Sequence, residues 1–135
     1  MLRNIFRALA PIRRYTPTHE WVEFGEKRAK IGITEFAVKQ LGEVVYVDLP
    51  NSGLKFIKGS VFATVESVKA VGEVYCPVKE GKVVAINEGL KTNVSDINED
   101  PEGRGWLVEM EGVGFNEAGL LEKADYEKVC SKGDH

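Results

Sequence analysis

The chain is poor in the residues that enzymes use for catalysis and that metal sites use as ligands. Its 135 residues include only two histidines, two cysteines and two methionines. The spacing of Cys76 and Cys130 fits neither a disulfide framework nor a metal motif. The chain also lacks a phosphate-binding loop, a dinucleotide fingerprint and a Gly-x-Ser-x-Gly motif. These absences argue against an enzyme and against a metal site, and they leave His19 as a structural histidine.

Long apolar runs and an excess of positive charge are missing as well. Nothing approaches the ~20 consecutive apolar residues that a membrane span requires. The formal net charge is −3, from 18 basic and 21 acidic side chains, which argues against nucleic-acid binding. An acidic domain suits solubility and a basic partner. We expect a chain that binds neither nucleic acid nor a membrane, and we expect it to be a monomer.

The positive charge that is present is concentrated at the start of the chain. Four arginines precede Tyr15, and the first acidic residue is Glu20. The apolar residues among the first nine follow helical spacing. An arginine-rich, acid-free and amphipathic start is typical of a mitochondrial transit segment, and a disordered basic tail is the alternative. We predict a transit segment at approximately residues 1–14, a single domain at residues 15–135, and a location in the mitochondrial matrix.

From Trp21 onward the pattern is mainly β, with turns at short intervals. Thr34 is placed to cap a short helix near residues 35–41, and Gly42 follows its end. Many short strands with regular turns predict a sandwich or a barrel. Two short C-terminal helices are predicted at Glu117–Leu121, which Asn116 would cap, and at Ala124–Cys130.

The most informative residue is a lysine in the middle of the longest strand-like run. Val61–Tyr75 is longer than the usual five or six residues of a strand, so we predict a hairpin with Lys69 at its tip. An imperfect repeat, GSVFA at residues 59–63 and GKVVA at residues 81–85, suggests two halves related by pseudo-two-fold symmetry that meet at this hairpin. The tip contains no Gly, Asn or Asp, the residues that tight hairpin turns prefer. Local turn propensity therefore does not account for the sequence of the tip.

Several roles are open to Lys69 from its neighbours alone. It is compatible with a solvated side chain, with an ion-pair partner of Glu66 or Glu73, and with a catalytic amine. A catalytic amine needs desolvation or a neighbouring cation, whereas a hairpin tip offers water and two glutamates. What the tip does offer is access, so an attachment point for a carried group is the more plausible chemical role.

Four stretches of the chain carry a family resemblance: THEW at residues 18–21, IGIT at residues 31–34, LGEVVYV at residues 41–47 and VESVKA at residues 65–70. Together they resemble the H-protein family of the glycine cleavage system. The stretch around Lys69 is the most specific, because biotin carriers typically place the lysine between methionines and acyltransferase lipoyl domains usually place Asp before it. The resemblance covers the chain from about Tyr15 to Cys130.

The resemblance implies a fold and a carrier function. The fold would be a flattened barrel-sandwich hybrid of two small antiparallel sheets with helices at its edges. Lipoate would be joined by an amide to Lys69, in a protein that is not itself an enzyme. The arm would take an aminomethyl group from the P protein (glycine decarboxylase) to the T protein (aminomethyltransferase). It would pass reducing equivalents to the L protein (dihydrolipoamide dehydrogenase).

The resemblance also implies which residues surround the lysine. A lipoyl or octanoyl transferase or a lipoate ligase would attach the group, and recognition by that enzyme would involve Glu66, Ser67, Val68, Ala70 and Glu73. The loaded arm would contact Thr18, Glu20, Gln40 and Glu73. At position 40 many relatives have a histidine, so Gln40 is a departure. A relay that holds lipoate or octanoate for other enzymes and an unmodified interaction domain are the alternatives.

Overall fold

The computed structural model describes residues 12–112 and 119–133. In chain order its strands are β1 (Ile12–Tyr15), β2 (Glu20–Phe24), β3 (Ala29–Ile33), β4 (Val44–Asp48), β5 (Lys55–Ile57), β6 (Val61–Ser67), β7 (Val71–Tyr75), β8 (Glu80–Ile86) and β9 (Val108–Glu111). Its helices are α1 (Glu35–Leu41), a 3-10 helix (Glu88–Lys91), α2 (Ser95–Glu99) and α3 (Lys123–Gly133).

The described strands form two antiparallel sheets that share one hydrophobic core. The larger sheet has the order β1-β2-β3-β9-β8-β5, and the smaller has the order β4-β6-β7. Val22 and Met110 of the larger sheet and Val47 and Val65 of the smaller sheet belong to the same buried cluster. This architecture confirms the predicted mainly β fold of two antiparallel sheets. The sheets are unequal, with six and three strands, and the two sequence repeats lie in different sheets because one enters β6 and the other β8.

Elements with strong local signals lie where the sequence predicts them. β2 and β3 form a hairpin in which the backbone N–H of Gly25 donates to the carbonyl of Arg28 at 2.8 Å. The hydroxyl of Thr34 accepts a hydrogen bond from the N–H of Ala37 at 3.2 Å and caps α1, as expected of a threonine at this position. The predicted C-terminal helix at Ala124–Cys130 lies within α3.

The start of the folded domain differs from the prediction. Ile12–Arg14, which the sequence assigned to the transit segment, belong to β1 and pair with β2. The guanidinium of Arg13 bonds Glu23 at 2.9 Å and lies 4.2 Å from the ring centroid of Trp21. The domain therefore begins earlier than predicted. β1 is basic and lacks the alternation of apolar and polar residues that marks a strand in sequence, but its contacts with β2 make it part of the fold. Residues 1–11 lie outside the described residues.

The C-terminal region also differs in part. The first two residues of the helix predicted at residues 117–121, and its cap at Asn116, lie outside the described residues. Its last residue, Leu121, is not helical, because it forms an antiparallel bridge with Tyr15 through backbone hydrogen bonds of 2.7 and 2.8 Å. The prediction is therefore wrong over residues 119–121, its described part, which contain no helix. None of the described helices is long and apolar enough to cross a bilayer.

Candidate functional site

Lys69 lies at the tip of the hairpin formed by β6 and β7. The last paired residues are Glu66 and Val71, and the N–H of Ser67 donates to the carbonyl of Ala70 at 2.8 Å. Lys69 is exposed in the connecting turn and forms no ion pair with any residue that the structure describes. The predicted hairpin is thus present, and the alternative of an ion pair with a neighbouring glutamate is not.

The hydroxyl of Ser67 organises this turn. Its Oγ accepts hydrogen bonds from the backbone N–H groups of Lys69 (3.2 Å) and Ala70 (3.0 Å), and it donates to the carbonyl of Ala70 at 3.2 Å. Among the described non-glycine residues, only His19 has a positive φ, so the turn stays in ordinary backbone space. A serine side chain can replace turn-forming residues in this way. This explains how a tip without Gly, Asn or Asp is formed.

The end of α1 supports the hairpin from the side. A Cβ placed on Gly72 would lie only 3.0 Å from Cδ2 of Leu41, so leucine packs directly against the glycine backbone of β7. Gly42 has a φ of 89°, and a Cβ there would lie 3.3 Å from Cε of Lys69. The aliphatic stem of the lysine therefore runs beside a residue that is glycine for both conformation and space.

A cleft of about 180 Å³ opens beside this hairpin. It lies between the start of β2, helix α1 and the inner side of β6 and β7. All four residues predicted to contact the loaded arm line it, although they come from separate parts of the chain. The lining residues are Thr18, His19, Glu20, Ile33, Ala37, Gln40, Leu41, Val65, Gly72, Glu73 and Val74.

Glu20 is the buried acid of the cleft, with an exposed fraction of 1%. Its Oε1 accepts hydrogen bonds from the hydroxyls of Thr16 and Thr18, both at 2.6 Å, and its Oε2 accepts one from the N–H of Tyr75 at 3.1 Å. Burial raises the pKa of Glu20 above its ordinary value of 4.5, and these hydrogen bonds oppose the shift. Glu20 forms no ion pair with a described residue, so its charge is compensated by hydrogen bonds alone.

The carboxylate of Glu20 also connects the two sheets. Glu20 belongs to β2 of the larger sheet, whereas Tyr75 ends β7 at the edge of the smaller sheet. An edge strand presents N–H groups without a strand partner. One of those N–H groups is satisfied by Glu20, so the acid has a structural role as well as a position in the cleft.

His19 forms part of a polar and aromatic wall that the sequence did not reveal. Its Nδ1 lies 2.8 Å from the hydroxyl of Tyr126 in α3, and that hydroxyl lies 2.6 Å from Oγ1 of Thr34. The ring centroids of His19 and Phe36 are 4.6 Å apart. Burial lowers the pKa of His19 and raises the pKa of Tyr126. These contacts agree with a structural role for His19, and Tyr126 is joined to it across more than a hundred residues of sequence.

Gln40 and Glu73 lie at the exposed rim of the cleft. Glu73 accepts a hydrogen bond from the hydroxyl of Tyr75 at 3.1 Å, and this contact raises the pKa of that tyrosine. Glu66 is exposed on the outer side of β6 and does not line the cleft. The predicted residues therefore fall into two groups, one around the turn and one around the cleft, and Glu73 lies near both.

The described residues of the cleft offer carboxylates, hydroxyls and apolar walls. They contain no group of three or more His, Cys, Asp or Glu side chains arranged to hold a metal ion. A larger cavity of about 810 Å³ opens beside β5 and β8, and no predicted site residue lines it. The arrangement at the cleft can hold a small group with a polar or cationic end, next to an exposed primary amine.

The family model described as Glycine cleavage H-protein matches residues 13–133. The chain belongs to the glycine cleavage H-protein family. The match includes the Lys69 hairpin and every residue of the cleft. It begins at Arg13, in agreement with the position of β1 in the fold.

Proteins named glycine cleavage system H protein are similar to the chain over most of its length. The protein of Thermotoga maritima is 48% identical over 122 residues, which cover 90% of this chain and 98% of that relative. The protein of Herpetosiphon aurantiacus is 46% identical over 119 residues, which cover 87% and 89%. A crystal structure of a glycine cleavage system H protein from Mycobacterium marinum gives a TM-score of 0.80 at 31% identity, and covers 90% of this chain and 96% of that chain.

Proposed function

We propose that this chain is a lipoyl carrier of a glycine cleavage system, with lipoate joined by an amide to Nζ of Lys69. The observation that carries the proposal is the position of Lys69, at the exposed tip of a hydrogen-bonded turn next to a small cleft. Membership of the H-protein family supports it. The protein itself would be a carrier and not an enzyme, since a cofactor carries the difficult chemistry and the protein orients it.

The residues around Lys69 fit an attached acyl arm. The amine is exposed for acylation, and the stem of the lysine passes a glycine that leaves room for it. A lipoyl-lysine would extend on the order of 14 Å, counting about a dozen bonds of ordinary length. The cleft has apolar walls from Leu41, Val65 and Val74, which suit an aliphatic chain, and polar groups at its end. When attached, the lipoyl group supplies a dithiolane that can accept an aminomethyl group and reducing equivalents.

The acids of the cleft suit a cationic end group. Glu20 is fixed by three hydrogen bonds and has no cationic partner among the described residues, whereas Glu73 adds a second carboxylate at the rim. A buried carboxylate and an amine form a charge-assisted pair. We propose that Thr18, Glu20, Gln40 and Glu73 surround the loaded end of the arm. An arm held in the cleft would exclude water from its loaded end and protect a group that is prone to hydrolysis.

The cleft also bears on the choice between carrier and relay. A relay that only holds lipoate or octanoate for transfer needs the lysine and its turn. Apart from the structural role of Glu20, carboxylates beside an apolar groove add nothing to that task, but they give a carried amine a partner. We therefore favour the shuttle between the P protein (decarboxylase) and the T protein (aminomethyltransferase), with the L protein (dihydrolipoamide dehydrogenase) reoxidising the arm. We propose that Glu66, Ser67, Val68, Ala70 and Glu73 contribute to recognition by the enzyme that attaches the group.

The location in the mitochondrial matrix is a further part of the proposal, and only the composition of the first residues supports it. Since β1 begins at Ile12 and Arg13 contacts Trp21, processing would have to occur before Ile12 to leave the domain intact. Processing near Thr18 would also remove the two hydroxyls that bond Glu20. Sequencing the N-terminus of the protein from its native source tests this part.

Mass spectrometry of the peptide that contains Lys69, from protein of the native source, tests the proposed function. The expected result is the mass increment of a lipoyl amide on that residue and on no other lysine. A Lys69 peptide that carries neither a lipoyl nor an octanoyl increment would contradict both the carrier and the relay.

A further inference from the structure

Four large apolar side chains are exposed around the base of the Lys69 turn. We name them the Lys69 patch. Single exposed apolar residues are common, but a group of them on one surface indicates an interaction site. The patch consists of Val45 (51% exposed), Tyr46 (51%), Val68 (67%) and Val71 (61%).

A β-bulge in β4 helps to create the patch. Val44 pairs with Ser67 and Tyr46 pairs with Glu66, so Val45 is an extra residue opposite the end of β6. Successive side chains of a regular strand face opposite sides, and only one of two neighbours would be exposed. The bulge leaves both Val45 and Tyr46 exposed, a device that proteins use to redirect side chains near functional sites.

The register places the other members of the patch beside these two. Tyr46 lies opposite Glu66, which lies opposite Val71, so the three residues form one row across the outer face of the smaller sheet. The N–H of Val68 donates to the carbonyl of Glu43 at 3.0 Å, which holds this part of the turn against the start of β4. The four side chains of the patch therefore lie around Glu66, on a surface that spans β4, β6, β7 and the turn.

The charges around the patch are almost all negative. The next row of the same face contains Asp48 and Glu73, and Glu66 lies within the patch row. Lys69 is the only cationic residue of β4, β6, β7 and the connecting turn. A partner that fits this surface presents apolar side chains to the patch, and Lys or Arg side chains to Glu66 and to the acids of the next row.

The length of the lysine side chain, with and without the attached group, distinguishes between the enzymes that could bind this patch. An unmodified lysine extends about 6 Å from its Cα, whereas the lipoylated arm extends on the order of 14 Å. An enzyme that acts on the amine must therefore approach the turn and cover the residues beside it. Enzymes that act on the far end of the arm have no such requirement.

We propose that the Lys69 patch is the docking surface for the enzyme that acylates Lys69, an inference that rests on the proposed function. In that reaction the neutral amine attacks the carboxyl carbon of a lipoyl adenylate. The amide C–N bond forms, the bond from carbon to the phosphate oxygen breaks, AMP leaves, and the amine proton passes to solvent. The patch holds the turn in place while this occurs.

The test measures how fast a purified lipoate ligase, with ATP and lipoate, modifies the unmodified chain. The double variant Tyr46→Ser/Val71→Ser is compared with the wild type and with Leu54→Ser/Ile57→Ser, which removes two similarly exposed apolar side chains away from the turn. We expect the patch variant to lose at least about tenfold in kcat/KM through a higher KM, in line with the loss of contacts worth about 1.4 kcal/mol. The control should stay within about twofold of the wild type. Equal rates for the patch variant and the control overturn the inference.

Charge substitutions at one position keep the test informative if the double variant folds poorly. Val71→Lys should slow modification more than Val71→Glu, because the partner is expected to be basic. The reverse order overturns the proposed partner chemistry.

The same variants separate this inference from the proposed function. After complete lipoylation with excess ligase, confirmed by intact mass, Tyr46→Ser/Val71→Ser should support glycine–bicarbonate exchange with the decarboxylase at nearly the wild-type rate. An equal loss in both assays overturns the assignment to the acylating enzyme. A wild-type chain that accepts no lipoate contradicts the proposed function itself.

Discussion

The Lys69 turn and the Glu20 cleft are adjacent but are constructed in opposite ways. The turn is exposed, and one hydroxyl, that of Ser67, organises its backbone. The cleft has a buried carboxylate that receives hydrogen bonds from two threonines and from the other sheet. An attachment point needs access and tolerates a simple construction, whereas a site that protects a group needs preorganised polar contacts. We therefore expect the contacts in the cleft to contribute more to the stability of the fold than the contacts in the turn.

The largest difference in stability between the two regions is expected when the buried carboxylate is removed. We expect Glu20→Ala to lower the free energy of unfolding by about 2 to 3 kcal/mol, because the N–H of Tyr75 and the hydroxyl of Thr16 lose their acceptor. Glu73→Ala, at the exposed rim, should lower the free energy of unfolding by less than about 0.5 kcal/mol. Urea unfolding of both variants measures the difference. Similar stabilities for the two variants would show that the cleft is not the more constrained region.

A second substitution tests the wall of the cleft. Tyr126→Phe removes the hydroxyl that contacts Thr34 and His19, and we expect a loss of about 1 to 2 kcal/mol. Tyr46→Phe, which removes an exposed hydroxyl, serves as the control and should be nearly neutral. Thermal unfolding of the pair provides the measurement, and an equally small effect of both substitutions would contradict the role assigned to Tyr126.

A substitution in the turn should lower stability less than a substitution in the cleft, and its effect should be confined to the tip. We expect Ser67→Ala to lower the free energy of unfolding by only about 1 kcal/mol, because the two backbone N–H groups that bond the hydroxyl can bond water instead. The amides of Lys69 and Ala70 should exchange with deuterium faster, while the amides of the cleft are unaffected. Ser52→Ala, in an exposed loop, is the matched control. Unchanged exchange at the tip would rule out the serine as the organiser of the turn.

The smallest expected effect is a pH dependence from Glu20. Its pKa in the folded protein is raised by burial, so the protonated form is favoured on folding. The contribution of this preference to the free energy of unfolding is fully present below the ordinary pKa of 4.5, and it is lost as the pH rises through the higher pKa of the folded protein. Compared with Glu20→Gln, the wild type should therefore gain stability as pH falls from neutrality towards 4.5. Urea titrations across this range test the sign, and a relative loss on acidification would contradict it.

Local signals in the sequence were enough to locate the hairpin and the short helix. The length of the run Val61–Tyr75 predicted the reversal at Lys69, and Thr34 and Gly42 marked the ends of α1. These features depend on residues that are close together in the chain. The family resemblance added four of the residues that line the cleft, Thr18, Glu20, Gln40 and Glu73, which no local pattern connects.

The remaining features depend on contacts between distant residues. Ile12–Arg14 were assigned to the transit segment because the arginines look like a leader. Their pairing with β2 and the contacts of Arg13 with Trp21, Glu23 and Glu102 show why they belong to the fold. Tyr126 gave no signal of its own, since its partners His19 and Thr34 lie at the other end of the chain. The hydrogen bonds of Ser67 were within reach of sequence reasoning, because a serine two residues before Lys69 is a common turn former.

In the proposed function, Lys69 carries the group and the rest of the site only positions and protects it. Glycine–bicarbonate exchange with the partner decarboxylase tests this directly, with the lipoylated wild type compared with Lys69→Arg. Arginine keeps the positive charge at an exposed position and should leave stability unchanged within about 0.5 kcal/mol. We expect exchange with the wild type and none with the folded Lys69→Arg variant. Exchange supported by Lys69→Arg would contradict the proposed function.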